Sequence, residues 1–207
     1  MGTQRFSRAL FAHLHNHSEY SLLDGLSSVE AMAARAAELG QSALALTDHG
    51  VMYGAIDFYS ACKRAGIKPI IGMEGYVAPE SRLTRNPSDR SPYHMTVLAK
   101  NEVGYGNLLK LASKAQLEGF YYHPRMDREL LEQHSDGLVI LSGCLSGEVG
   151  SHIVKGQIDK AREAVNWYRG VFGDDYYLEV MWHEKIPEQL TMNRGVFELA
   201  RDTGTPL

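Results

Sequence analysis

Short apolar runs take turns with longer amphipathic ones along nearly the whole chain, and this alternation limits the fold more than any other feature. Strand-length and helix-length patterns that alternate argue for a parallel sheet joined by crossover helices. The expected strands are 8–14, 43–47, 69–73, 94–99, 137–141 and 176–181. The expected helices begin with one opened by the capping box Ser27-x-x-Glu30, running through Leu39 and closed by Gly40. Others are expected at 53–65, ended by Gly66, and at 102–117, 127–134, 157–171 and 187–202, the last with Pro187 at its first turn and Gly204 after it. The stretch 79–92, with three prolines and three arginines, reads as a long surface loop. Residues 205–207 look like the start of a seventh strand. Six full units suit a (β/α) barrel better than an open sheet, although an open doubly wound sheet also satisfies the pattern.

Composition excludes several classes. With 21 Lys+Arg against 25 Asp+Glu, the formal charge is −4. No basic excess argues for tight nonspecific nucleic-acid binding, which leaves only a local basic groove. No apolar run approaches the ~18–20 residues of a membrane span, and Ala9–Ala12 is too short for a secretory core. The two cysteines, Cys62 and Cys144, lie far apart, so a disulfide framework is not expected and a reducing cytoplasm is the default compartment.

Nine histidines is a high count for 207 residues, and three of them alternate as His13, His15 and His17. On a strand this spacing points all three the same way, and three imidazoles together are hard to bury neutral. His15 and His17 follow the first expected strand. Asp48-His49 follows the second, Glu74 the third, Cys144 the fifth and His183 the sixth. In a parallel barrel these ends share one face, where active sites are built. Imidazole, carboxylate and thiol at successive strand ends read as a metal cluster. His94 breaks the pattern by standing at the start of its strand. Taken singly, Asp24 and Asp48 are turn residues, Cys62 and Cys144 are core residues, and His123, His134 and His152 are solvated. His183 is surface or outer support. Arg82, Arg85 and Arg90 of the long loop could touch phosphate.

The stretches His13–Gly25, Ala45–Gly50 and Gly66–Glu74 resemble the PHP (polymerase and histidinol phosphatase) superfamily. So do His94–Asn101, Glu118–Tyr122 and Leu141–Val149, and the likeness runs from about Phe11 to Leu207. More narrowly it is similar to the branch formed by the N-terminal PHP domains of bacterial DNA polymerase III alpha subunits. The resemblance implies a distorted (β/α)7 barrel of TIM-like type, with the chain forming a single domain over 1–207 that stops before the last strand. The polymerase palm, thumb and fingers lie outside such a domain.

The resemblance also implies a site. His15, His17 and Glu74 would hold a first metal, Asp24 and His49 a second, and Glu74, His94 and Cys144 a third, with Glu74 bridging. Glu74, His49 and Asp24 would carry the catalytic weight, and His13 is given no ligand role. Family members supply two further ligands, an Asp-x-His pair after the seventh strand, which this chain does not reach. Up to three divalent ions, zinc, manganese or iron, are therefore expected in a complete domain and fewer here.

The implied function is a metal-dependent phosphoesterase, a 3′–5′ exonuclease proofreading DNA 3′ ends within a polymerase III alpha chain and its replisome. Two other readings stay open: a structural metal-binding module that braces the polymerase or a proofreading subunit, and a freestanding phosphatase such as a histidinol phosphatase. A barrel without its last strand leaves an open edge that a second copy could pair with, giving a homodimer.

Overall fold

The computed structural model describes residues 11–207. Seven strands and seven α-helices follow one another along it, with β2–β3, β4–β5 and α5–α6 in succession: α1 (Val29–Glu38), β1 (Ala43–Leu46), α2 (Ala55–Ala65), β2 (Lys68–Val77), β3 (Tyr93–Ala99), α3 (Glu102–Leu117), β4 (Phe120–Tyr121) and β5 (His123–Met126), then α4 (Arg128–Gln133), β6 (Leu138–Leu141), α5 (Glu148–Val154), α6 (Ile158–Phe172), β7 (Tyr176–Tyr177) and α7 (Pro187–Thr203).

Local signals act much as expected at the helices. α3 spans the expected residues, with the Asn101 side chain accepting from the Gly104 N–H. α2 ends on Gly66 and α7 on Gly204, both left-handed, and Pro187 opens α7. The cap of α1 is one residue later than expected: Ser28, not Ser27, accepts from the Ala31 N–H. The short helix α5 and the hairpin β4–β5 were not foreseen.

The sheet is mixed, not parallel. β1 and β5 pair parallel with successive parts of one side of β2, and β7 pairs parallel with β6. β3, however, runs antiparallel to both β2 and β6. The reason lies in the connection. A parallel return needs a crossover of a dozen or more residues, usually helical. The link from β2 to β3 holds only a loop and the 3-10 turn Pro87–Arg90, so the chain turns back beside the strand it has left.

Two expected strands shrink. The described part of the first, residues 11–14, forms no regular strand, and 8–10 lie outside the described residues. The segment still runs along β1, because the Ala45 and Thr47 N–H groups donate to the carbonyls of His13 and Asn16. The sixth expected strand is reduced to β7, two residues long. Residues 205–207 make no strand, although the Leu178 N–H donates to the Pro206 carbonyl beside it.

The main core lies between the sheet and α3, α6 and α7, with Met73, Val97, Leu111, Ile140, Tyr168, Val196 and Leu199 buried together. A second cluster joins α1 and α2 to β1 through Val29, Leu44, Leu46, Phe58 and Cys62. This packing holds β2 rigid, and β2 carries the residue around which the site forms. Both cysteines are free. Among the described residues, no helix is long and apolar enough to cross a membrane.

Candidate metal centre

Glu74 sits within β2, not after a strand as the spacing implied, and its side chain is 1% exposed. Two glycines flank it at close packing: a β-carbon at Gly72 would meet Leu98 and the Val97 carbonyl, and one at Gly75 would meet Met126. The strand therefore approaches its neighbours closely and leaves one carboxylate facing the site.

Four imidazoles surround that carboxylate. His15 Nε2 lies 3.3 Å from Oε1 and His17 Nε2 lies 3.4 Å from Oε2. His49 Nδ1 is 2.7 Å from Oε2, and His94 Nδ1 is 3.0 Å from Oε1. Cys144 Sγ stands 3.8 Å from Oε1. Asp24 joins through His49, its Oδ2 lying 2.8 Å from His49 Nε2. All seven residues proposed from the sequence are thus brought together. Three overlapping sets place their donor atoms within 4.8 Å of one another: His15, His17 and Glu74; His17, Asp24 and His49; His49, Glu74 and His94.

His13 stays out. The segment bends at His15, so strand alternation does not hold, and His13 is exposed with its ring edge-on to Phe11. His183 is exposed as well. The other three histidines are less solvated than expected. His123 packs on Tyr76, with ring centroids 4.5 Å apart, while His134 and His152 are half-buried. Arg82 is buried and held by Asp127, Glu118 and Glu129, which removes it from any phosphate.

The direction of β3 explains the place of His94. On an antiparallel strand the starting end lies where parallel neighbours finish, so a histidine at the start of β3 meets groups from the ends of β1 and β6.

Three further residues position the site: Asp48, read from the sequence as a turn residue after the second strand, and Glu179 and Thr96, which were not evident there. Asp48, 1% exposed, accepts from the Ser18 N–H at 2.7 Å, the Ser18 hydroxyl at 2.8 Å and the Ser21 hydroxyl at 2.7 Å. It pins the turn 18–25 that carries Asp24. Glu179 Oε1 lies 2.8 Å from His15 Nδ1, and the buried Thr96 hydroxyl donates to Glu179 Oε2 at 3.2 Å. A carboxylate on the second ring nitrogen sets the orientation and tautomer of a histidine whose first nitrogen faces a cation. The signal for Glu179 was a carboxylate closing the apolar run Tyr176–Leu178.

Electrostatics follow from this crowding. Burial alone would raise the Glu74 carboxyl, but His15, His49 and His94 hold it far below the usual carboxylate range. Burial opposes charge on His15, yet Glu179 and Glu74 raise it above the usual imidazole value. His94 is raised against burial by Cys144 and Glu74. His17 is lowered by burial and by the neighbouring His49, whose ring stacks on it at 4.2 Å.

The donor set fits a cation. Nδ1 of His49 and Oε2 of Glu74 are 2.7 Å apart, yet neither makes a hydrogen bond of ordinary geometry. His17 Nδ1 is buried without a partner too. Such atoms are costly to bury unless another charge satisfies them. Imidazole, carboxylate and thiol donors around one buried carboxylate have the chemistry to hold divalent metal.

A mixed α/β barrel-like sheet with this cluster at one end defines the class, and the comparisons agree: a model of the PHP domain matches residues 13–183, and the chain belongs to that family. Within the family its sequence is similar to DNA polymerase III subunit alpha. It is 50% identical to that of Treponema pallidum over 204 residues, covering 97% of this chain and 17% of the relative. Against Borreliella burgdorferi the identity is 45% over 202 residues, covering 97% and 18%. Against Thermus aquaticus it is 44% over 203 residues, covering 96% and 17%. The chain thus spans less than a fifth of the length of these relatives.

A solved structure named as a candidate metal-dependent phosphoesterase from Bifidobacterium adolescentis superposes with a TM-score of 0.55. It is 13% identical and covers 94% of this chain and 84% of that one. The likeness supports the distorted TIM-like PHP fold.

Proposed function

We propose that the chain is the PHP domain of a DNA polymerase III alpha subunit, working in the cytoplasm as a metal-dependent phosphoesterase that removes nucleotides from DNA 3′ ends. The observation that carries this reading is the convergence of four imidazoles and one thiol on buried Glu74, with Asp24 joined through His49 and buried donor atoms left unpartnered. His15, His17 and Glu74 would hold one ion, Asp24 and His49 a second, and Glu74, His94 and Cys144 a third. Zinc, manganese and iron suit this mixture of donors. Bound divalent ions acidify water and neutralise charge that develops on a phosphoryl group. The chain's own residues supply the rest. Glu74 ties the donors to a rigid strand, Asp48 holds the Asp24 turn in place, and Glu179 with Thr96 fixes the His15 ring.

The test is metal content and nuclease activity measured together. Purified protein is analysed for zinc, manganese and iron, then assayed on a 3′-labelled single-stranded oligonucleotide. Bound metal and 3′ cleavage, both lost in Glu74→Gln, would support the reading. Full metal content and full cleavage in Glu74→Gln would overturn it.

A structural role is the second reading, and one observation favours it. The donors come from the N-terminal segment, the end of β1, β2, β3 and the turn after β6, so the ions held here would together staple five segments. Bound metal that raises stability but supports no cleavage would select it.

A further inference from the structure

A polar cleft of about 680 Å³ opens directly beside His94. One wall is the 3-10 turn that ends in Arg90. Another is the turn after β6 and the end of α5, which contribute Ser146, Ser151 and Lys155. His94 and His123 line it where it meets the metal centre, and no carboxylate lines it.

The cations here differ from their neighbours. Arg82 is locked to Asp127, and Arg128 to Glu148. Arg90 and Lys155 make no ion pair among the described residues, although both are exposed. Arg90 lies over the Tyr122 ring, 5.1 Å from its centroid. Tyr122 is 60% exposed and has φ 61°, the sole left-handed residue other than glycine among those described. Bulky side chains rarely adopt that conformation, and strain of this kind collects at functional sites.

We propose that this cleft seats a single-stranded nucleic acid, with Arg90 and Lys155 on its phosphodiester backbone and the Arg90–Tyr122 pair beside a base. The inference rests on the phosphoesterase reading, and it adds the path by which a strand reaches the cluster. Cations on two separate elements with an exposed aromatic ring suit a chain of phosphates and bases, and this combination is the usual one for single strands. Serine hydroxyls between them can donate to phosphate oxygens. The net negative charge of the chain does not oppose it, because no carboxylate lines the cleft and Arg90 and Lys155 do.

The experiment is fluorescence anisotropy of a labelled oligothymidylate, followed across salt concentrations. Arg90→Ala/Lys155→Ala should weaken binding about tenfold at moderate salt. It should also shrink the slope of log affinity on log salt by about 1.4, which is about 0.7 for each lost phosphate contact. A matched pair outside the cleft, Lys63→Ala/Arg201→Ala, should leave both unchanged. Equal loss in the two pairs, or no loss in the first, overturns the proposal. So does thymidine monophosphate competing as well as the oligomer, since the cleft would then serve a small phosphate ester. Metal content of the cleft variant separates the two readings. Unchanged binding with retained metal and cleavage fails the cleft alone. Lost binding on a chain that never holds metal supports the cleft and fails the phosphoesterase reading.

Discussion

His94 and Glu74 lie on neighbouring strands of opposite direction, and His94 Nδ1 stands 3.0 Å from Glu74 Oε1. That contact exists because β3 begins where β1 and β6 end. It puts a fifth segment of the chain against one buried carboxylate and makes the cluster a junction of the fold. Stability, metal affinity and thiol chemistry should therefore all respond at the same few residues.

Metal should stabilise the native chain through Glu74. A ligand present at about 100 times its dissociation constant adds ~2.7 kcal/mol. For a chain of this size that corresponds to a rise in Tm of about 5–10 °C. Scanning calorimetry with and without zinc or manganese should show this rise in the wild type and lose it in Glu74→Gln. An equal rise in the variant would place the ion elsewhere.

Asp48 should matter more for folding than for metal contact. Asp48→Ala leaves the Ser18 N–H and two hydroxyls without their acceptor in a closed site. Hydrogen bonds to a buried charge are individually worth ~1.5–3 kcal/mol, so loss of the three should cost about 4 kcal/mol or more in urea unfolding. A change below about 1 kcal/mol would mean that the 18–25 turn is held by other contacts.

Two glycines in α3 should respond in opposite directions to alanine. Within a helix Gly→Ala ordinarily stabilises by ~0.5–1 kcal/mol. Gly106 faces open space and should follow that rule. At Gly104 a β-carbon would overlap the Gly137 carbonyl oxygen, so Gly104→Ala should destabilise by ~1–3 kcal/mol or more. Matched denaturation curves for the two variants check the pair, and the same sign for both would refute the close approach.

The two thiols should separate by reactivity. Cys62 is fully buried, and burial pushes its thiol up to about 11 from the ordinary 9.0. Cys144 is half-buried beside Glu74. At pH 8 a disulfide reagent should titrate one thiol in the native protein and the second only in denaturant, with added zinc slowing the first. The folded Cys62 keeps its proton at a pH where the unfolded chain loses it. Its contribution to stability is therefore present below pH 9 and is lost as pH rises from 9 towards 11. Stability that holds through that window in the wild type, while falling in Cys62→Ala, would reverse the expected sign.

Local chemistry made much of this chain legible. The ends of α3, the left-handed Gly66 and Gly204, and Pro187 at the start of α7 are set by capping and periodicity within a few residues, which sequence carries directly. The donor residues were legible too, because imidazole, carboxylate and thiol at the ends of apolar runs are chemically unusual wherever the runs pair. Strand direction was not, since it depends on which distant segments meet and on a β2–β3 link that holds no crossover helix. Only the tertiary structure could bury Arg82 against Asp127, turn His13 away while His15 and His17 converge, and bring Glu179 to His15 across 164 residues. Pairing over such distances rests on mutual packing of whole elements, and no local pattern encodes it.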